Sequence, residues 1–470
     1  MKKAFFCVIL ILVSAVYSSA AQPLFLKAER VSRLDRFDKH DRVLIIAPHP
    51  DDETIGCAGA IQQAKDAGAK IKVLYMTNGD CNQVAFMVYE KRVTLFKGEF
   101  VHMGQVRRTE AENAMRSLGL NKSDLVFLGY PDFGTFTIFR DYWRTNKPFK
   151  SLLTRVTNVP YRNNLSYGAP YIGESILNDL KKVLLDFKPN KVFVSHPADV
   201  NGDHKAAYLF LQVALADLYK DLRTPKIYPY PVHFAGWPLP RHYHPGLGLD
   251  PPGPLARSDI KWYKLKLSAR QLNKKHKAIL DYRSQTQSSA FYLLSFARSN
   301  ELFGNYEEVD IIKEDSARYK NTYFGLVNLF QEARETEDEM PGEEEQGLRR
   351  EHGQVSFAVV DNTLLIRMQK AREIKRNFNF QAYLFGYSHK TPFSVMPKIR
   401  IICKSGRIKM FSGRKLIEAP GVELKRDEEE AVLKVPLILL GDPEFILASL
   451  KISGQALTFD TTGFRRLNID

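Results

Sequence analysis

RVLIIAPHPDDETIGCAGA, residues Arg42 to Ala60, decides the fold. Arg42 to Ala47 is an apolar run with turn signals after it, the pattern of a strand buried on both faces of a parallel sheet. Pro48 and Pro50 keep the following segment extended and delay the helix. Ile55 to Ala67 then reads as a helix closed by Gly68. Outward from this unit the alternation continues. Ile71 to Thr77 is a second strand, Arg107 to Leu118 a helix stopped by Gly119, and Leu125 to Leu128 a third strand. Ile176 to Phe187 is helical, Lys191 to Ser195 (KVFVS) is a fourth strand, and Lys205 to Leu222 is a long helix. Strand alternating with helix predicts an α/β fold, with a Rossmann-like, mostly parallel sheet and helices on both faces.

The remainder has a different texture. Tyr228 to Leu255 is a long loop rich in Pro, Gly and aromatics, and it carries His233, His242 and His244. Loops of that length in a compact domain are usually functional. A helical pattern returns at Ser268–Tyr282. Residues 333–352 include the acidic TEDEMPGEEEQG and read as a linker. From Gln354 short β-rich runs follow with turns between them: VSFAVV, TLLIRM, FNFQAYLFGY, KIRIICK, VELKR, AVLKVPL and FILASLKIS. They predict a β-sandwich-like accessory domain over residues 354–470.

The chain has 470 residues, 44% hydrophobic and 26% charged. At roughly 150 residues per domain, two or three domains are expected. Wholly disordered, collagenous and polytopic membrane classes are excluded, and no internal repeat signals a solenoid or propeller. The net charge is +15, from 68 basic and 53 acidic residues. It suits an anionic partner such as a membrane face or acidic glycan, or is plain solubility charge. The basic residues are dispersed and no nucleic-acid motif is present, so no nucleic-acid partner is expected. Lys2, Lys3, the apolar run Ala4 to Tyr17 and the small residues Ser18 to Ala21 predict a signal peptide over residues 1–21. The protein is therefore expected to be exported, to the periplasm, cell envelope or medium. An uncleaved segment would anchor it near a membrane. The mature chain keeps Cys57, Cys81 and Cys403. Three cysteines are no disulfide framework. Either Cys57 bridges Cys81 in an oxidising compartment, or all three are buried thiols.

The chemistry sits in two loops. The first strand ends in Pro48-His49-Pro50-Asp51-Asp52-Glu53, and the fourth in His196-Pro197-Ala198-Asp199-Val200-Asn201-Gly202-Asp203-His204. Both follow the carboxyl ends of parallel strands, where open α/β sheets bind ligands if the two strands are neighbours. Mixed imidazole and carboxylate donors suit Zn²⁺, and three protein ligands leave a place for water. Gly56 and Gly59 do not form the dinucleotide fingerprint and are read as allowing close helix–sheet packing.

Together PHPDDE and the second acid- and His-rich loop resemble the PIG-L/LmbE family of zinc-dependent N-acetylglucosaminyl deacetylases over residues 40–315. Further similar stretches are TNGD (Thr77–Asp80), RRTE (Arg107–Glu110), LGYPD (Leu128–Asp132), Val232-His233 and YRSQ (Tyr282–Gln285). The resemblance implies His49, Asp52 and His204 as metal ligands and Asp51 as general base on a metal-activated water. Many relatives carry a His where Asn201 stands, and Asn cannot act as an acid near neutral pH. The proton donor is then Asp51 itself, His233 or His196. His196 could equally orient the loop from behind, as could Asp203. Asp132 and Arg108 resemble positions that contact sugar hydroxyls. Glu53 is read as a helix cap.

The expected function is that of an exported zinc-dependent deacetylase acting on an N-acetylated amino sugar in a glycan, glycolipid or glycoconjugate. Fe²⁺ or another divalent ion also fits the donors. One alternative is a non-catalytic glycan-binding or scaffold protein, favoured by Asn201. Another is a zinc amidase acting on a non-sugar amide. The closing stretch Phe459 to Arg466 resembles the last strand of sugar-binding β-sandwich modules, implying glycan contact through the C-terminal domain.

Overall fold

The computed structural model describes residues 31–469 except 92–96, 145, 254, 257–259, 306, 312, 315–321, 326, 329–353, 370–378, 405, 427–429 and 454–457. The signal-peptide reading and the acidic linker both lie outside the described residues. Among the described residues no helix is long and apolar enough to cross a membrane.

The opening unit forms as its pattern dictates. Strand β1 (Arg42–Ala47) leads into helix α1 (Asp52–Asp66), strand β2 (Lys70–Thr77), helix α2 (Gln83–Glu90) and helix α3 (Lys97–Leu118). Strand β3 (Leu125–Tyr130), helix α4 (Thr135–Asp141), helix α5 (Gly173–Phe187), strand β4 (Lys191–Ser195), helix α6 (Gly202–Asp217) and strand β5 (Lys226–Tyr230) follow. The five strands lie in the order β3-β2-β1-β4-β5, all parallel. Alternate residues face opposite sides, as the two-residue period requires. Val43, Ile45 and Ala47 join α1 and α3 in one core, whereas Leu44 and Ile46 join α5 and α6 in the other. Strand order reverses between β1 and β4, so both acid-rich loops emerge at the same crevice. Most of the expected elements match within a few residues, but α3 begins about one decade of residues earlier than its apolar pattern, α6 stops at Asp217 short of the expected Leu222, β5 takes up Tyr228–Tyr230 of the expected loop, and α2 and α4 were not expected.

Gly56 and Gly59 have the packing role expected of them. A Cβ on Gly56 would lie 2.6 Å from the Tyr230 ring, and one on Gly59 would lie 2.1 Å from Leu267. Strand β6 (Lys261–Lys266) pairs with β7 (Asn300–Asn305) and with Val31–Arg33 in a small side sheet. Between β6 and β7 lie helices α7 (Ala269–Leu280) and α8 (Arg283–Leu293). Cys57, Cys81 and Cys403 are free and buried, so the Cys57–Cys81 bridge does not form.

The C-terminal region is a two-sheet sandwich. One sheet contains β8 (Gln354–Val360), β9 (Thr363–Gln369) and β13 (Glu430–Pro436). The other contains β10 (Asn379–Tyr387), β11 (Lys398–Lys404), β12 (Arg407–Ser412), β14 (Phe445–Ser453) and β15 (Arg465–Ile469). Its strands begin earlier than the expected boundary at residue 354. Val309–Ile311 already pairs with β15, and Thr322–Gly325 pairs with β8. Strands this short, set among charges, carry too few residues to show a period.

The sandwich is not a detached module. Phe380, Ala382 and Leu384 of β10 point into its aliphatic core, while Phe385 and Tyr387 join the α5–α6 core of the α/β domain. Phe139 packs edge-on against Phe385 at 5.4 Å, and Trp143 against Phe393 at 4.8 Å. Edge-to-face pairs each add about 1 kcal/mol beyond their buried area. Phe464, in the stretch that resembles a sugar-binding strand, is buried in this interface against Phe136 at 5.8 Å. It therefore offers no exposed platform to a glycan.

Candidate metal and active site

His49 and Asp52 lie one turn apart across the β1–α1 junction, and His204 sits in the first turn of α6. The side chains converge on Asp52 Oδ2, which lies 3.1 Å from His49 Nδ1 and 3.1 Å from His204 Nε2. One donor atom from each residue fits within 4.8 Å of the others. Each imidazole turns its other nitrogen to a carboxylate. His49 Nε2 lies 3.2 Å from Asp203 and 3.1 Å from Asp132, and His204 Nδ1 lies 3.1 Å from Asp199. This carboxylate–imidazole pattern orients metal-ligating histidines.

Electrostatics point the same way. Burial disfavours charge on both imidazoles, yet the surrounding carboxylates win: His49 is raised well above its ordinary value, and His204 to about 9. Burial would also raise Asp52, but His204 and His49 hold it well below the carboxylate range. The site thus favours a cation among these side chains. Both ring nitrogens of His204 are buried, Nε2 toward Asp52 and Nδ1 toward Asp199. Two imidazoles and a carboxylate suit a divalent ion such as Zn²⁺, and also Fe²⁺. His49 also groups with Asp132 and Asp203. The set with His204 is the better site, because Asp203 is already occupied by three other donors.

Those donors fix the geometry. Asp203 accepts from the Phe133 amide at 2.6 Å, the Thr135 amide at 2.9 Å and the Thr135 hydroxyl at 2.6 Å. Asp203 thus lies behind His49, 3.2 Å from its Nε2. Asn201 caps α6, its Oδ1 accepting from the Asp203 amide at 2.8 Å. It lines the cavity beside the site.

Asp51 sits at the start of α1 with φ 120°, a strained conformation for a non-glycine residue. Arg107 overdetermines it, donating to Asp51 Oδ2 at 3.0 Å, to the Pro50 carbonyl at 2.5 Å and to the Gly79 carbonyl at 3.0 Å. Burial raises the Asp51 carboxyl to about 7 despite the guanidinium, with the Asp52 charge adding to the rise. Glu53 lies below it and is fully buried. It accepts from the Asp51 amide at 3.1 Å and from the Tyr282 hydroxyl, which makes it a structural anchor.

His233 lies edge-on to His204, with ring centroids 4.6 Å apart, and its amide donates to Asp199 at 2.9 Å. Burial lowers its imidazole to about 4, so it is neutral at pH 7. His196 is behind the loop instead. Its Nδ1 accepts from the Ala198 amide at 3.1 Å, and its ring stacks on Trp262 at 5.9 Å. Asp132 accepts from the Cys81 amide at 3.0 Å and reaches the cavity floor beside His49.

Arg108 is not brought to the site. It bonds Glu112 at 3.2 Å and Asn164 at 2.5 Å and lies over the Phe127 ring. Its neighbour Arg107 lines the cavity instead. Arg107 shares the buried face of α3 with Met103 and Ala111, four residues to either side, a period that was readable in the sequence. Asp199, which holds both His204 and His233, was also missed as a site residue. It looked like one more acid in a loop, and nothing local marked it. His242 and His244 do not line the cavity. Arg298 is buried and donates to the Pro240 and His244 carbonyls, fixing the aromatic loop.

The cavity over these residues has a volume of about 1020 Å³. Phe133 and Phe291 stand at it, 64% and 47% exposed, and Gln285 and Tyr292 complete one wall.

Residues 44–215 match the model of the PIG-L family, described as GlcNAc-PI de-N-acetylase. The chain is 31% identical over 107 residues to the 1D-myo-inositol 2-acetamido-2-deoxy-alpha-D-glucopyranoside deacetylase of Kineococcus radiotolerans. That match covers 22% of this chain and 26% of the relative, so the chain spans about a quarter of the relative's length. Among solved structures, the N,N'-diacetylchitobiose deacetylase of Pyrococcus horikoshii is 21% identical with a TM-score of 0.32, over 52% of this chain and 70% of that one. The 4-carboxy-2-hydroxymuconate hydratase of Pseudomonas putida is 16% identical with a TM-score of 0.35, over 57% and 98%. The stretch that matches the PIG-L family model, residues 44–215, carries both acid- and His-rich loops and the strand reversal between them.

Proposed function

We propose that the protein is a metal-dependent deacetylase that hydrolyses the N-acetyl group of an N-acetylated amino sugar carried on a glycan, glycolipid or glycoconjugate. The observation that carries the reading is the convergence of His49, Asp52 and His204 beside Asp51 at the floor of an open cavity. The family description and the named activity of the Kineococcus relative support it.

A divalent ion held by His49, Asp52 and His204 would polarise the acetamide carbonyl and acidify a water. The rest is done by side chains. Asp51 takes the proton of the attacking water, a task suited to a carboxyl raised toward neutrality. Arg107 keeps that carboxylate aimed into the cavity. Asp51 then returns the proton to the leaving amine, because Asn201 cannot and His233 is neutral at pH 7. His233 and Asn201 are left to donate hydrogen bonds to the developing oxyanion. Asp132 stands where a sugar hydroxyl could be bound, and the Phe133 and Phe291 rings offer apolar faces to a pyranose. Arg108 has no part in this binding. The apolar N-terminus supports export, which N-terminal sequencing of the mature protein would test.

The test is acetate release from N-acetylglucosamine oligomers and N-acetylated glycolipids with added zinc. Release by wild type, abolished in Asp51→Asn while zinc stays bound, is the expected result. No release from any of these by zinc-loaded protein would refute the reading.

A further inference from the structure

We propose that the C-terminal sandwich is a working part of the metal site, with Gly463 and Phe464 as positioning residues for Asp203 and His204. The inference rests on the metal-site reading above and asks what holds the second loop in place.

That loop has an apolar back, and the sandwich covers it. The Phe464 amide donates to the Pro197 carbonyl at 3.2 Å. Gly463 lies so close that a Cβ on it would meet Ala198 Cβ at 2.7 Å and the Ala198 amide nitrogen and Cα at 2.9 Å. Those last two are backbone atoms, so a side chain at position 463 displaces the loop itself. A second contact passes through α4. Phe136 packs against Phe464 and against Tyr383, both at 5.8 Å, and its Cβ lies 3.2 Å from where a Cβ on Gly202 would stand. Phe136 follows Thr135, whose amide and hydroxyl hold Asp203, and Asp203 orients His49.

The far end of α6 is held by the same domain. Tyr387 donates to Asp217 at 2.9 Å, and His389 Nε2 lies 3.1 Å from the Ala216 carbonyl. The helix that presents Asp203 and His204 is thus braced at both ends by one sheet of the sandwich. An ordinary interdomain contact would bury area anywhere on the surface. This one meets the ligand loop backbone to backbone.

The experiment uses the full chain and two variants. Gly463→Ala inserts one methyl group against Ala198. Ile366→Ala empties a fully buried position in the sandwich's other sheet, away from Pro197 and Phe136. Zinc affinity is read by competition with a chromophoric chelator, so it does not depend on the substrate chosen. Thermal unfolding and kcat and KM for acetate release complete the set. Gly463→Ala is expected to weaken zinc about tenfold or more and to lower kcat by up to about a hundredfold with KM little changed. Ile366→Ala should lower the unfolding midpoint yet bind zinc as wild type does below that temperature. Wild-type zinc affinity in Gly463→Ala overturns the proposal, as does a loss in Ile366→Ala that tracks stability alone. A wild-type protein that binds no divalent ion overturns the metal-site reading and this inference together.

Discussion

Residues 48–53 and residues 196–204 both end parallel strands and both bring side chains to the candidate metal site, yet they are fastened differently. The first loop is held by charge and hydrogen bonds. Arg107 spans Pro50, Asp51 and Gly79, Thr77 donates to the Pro48 carbonyl at 3.0 Å, and Glu53 ties Asp51 to Tyr282. The second has polar ties on its cavity side but rests on an apolar back formed by Trp262, Phe234, Gly463 and Phe136. A charged brace changes the protonation of what it holds, because its field reaches the carboxylate directly. A packed brace changes only position. Disturbing the first loop should therefore move pH profiles, and disturbing the second should move metal affinity without moving them.

The largest effect expected of the first loop is that of Asp51→Asn. Turnover should fall by about 10²–10⁴-fold while zinc affinity stays near wild type, since Asp51 is outside the ligand set. Equal loss of both would erase the distinction between base and ligand. Arg107→Gln comes next. Removing the guanidinium leaves burial and the Asp52 charge opposed only by His49, so the Asp51 carboxyl rises further above about 7. The base must be ionised to act, so the acid limb of kcat/KM should move to higher pH. An unchanged limb would show that Arg107 only positions.

On the second loop the electrostatic signature should appear in stability. Burial holds His196 neutral, lowering it to about 3 from an ordinary 6.5. Between those values the unfolded chain binds a proton that the folded chain does not. Stability therefore falls as pH drops from 6.5 toward 3, by up to about 1.4 kcal/mol per pH unit, and this contribution is flat above 6.5. Urea unfolding of His196→Asn should show a shallower dependence across that window. An identical slope would mean that His196 does not carry it. The smallest effect is Arg108→Gln, which should change KM by about twofold or less. A large rise would return Arg108 to the sugar site.

Much of the site could be read from the chain because its chemistry is local. His49 and Asp52 are three residues apart, and their hydrogen bonds close within one turn. Apolar runs located the parallel strands because burial on both faces leaves no room for polar residues. The choice between Arg107 and Arg108 turned on the phase of α3. A helix places adjacent residues about a third of a turn apart, and Arg107 shares its buried face with Met103 and Ala111. The Cys57–Cys81 bridge failed because sequence gives no distance between two buried thiols.

The sequence by itself determined the parallel α/β architecture, the strand-rich C-terminal region and the two acid- and His-rich loops at strand ends; the roles of His49, Asp51, Asp52 and His204 within them came from the family resemblance. Periodicity and short-range geometry fix strands, helices and loops before the chain is folded. Tertiary structure alone decided that β1 and β4 are neighbours, that Asp199 and Asp203 hold the two imidazoles, and that the outer face of one sandwich sheet closes over the second loop. Apart from Asp199, which holds His204 five positions on, those contacts join residues more than a hundred positions apart, as between His49 and Asp203. Strand order and the docking of one apolar face on another set them, and neither leaves a mark in the local pattern of residues.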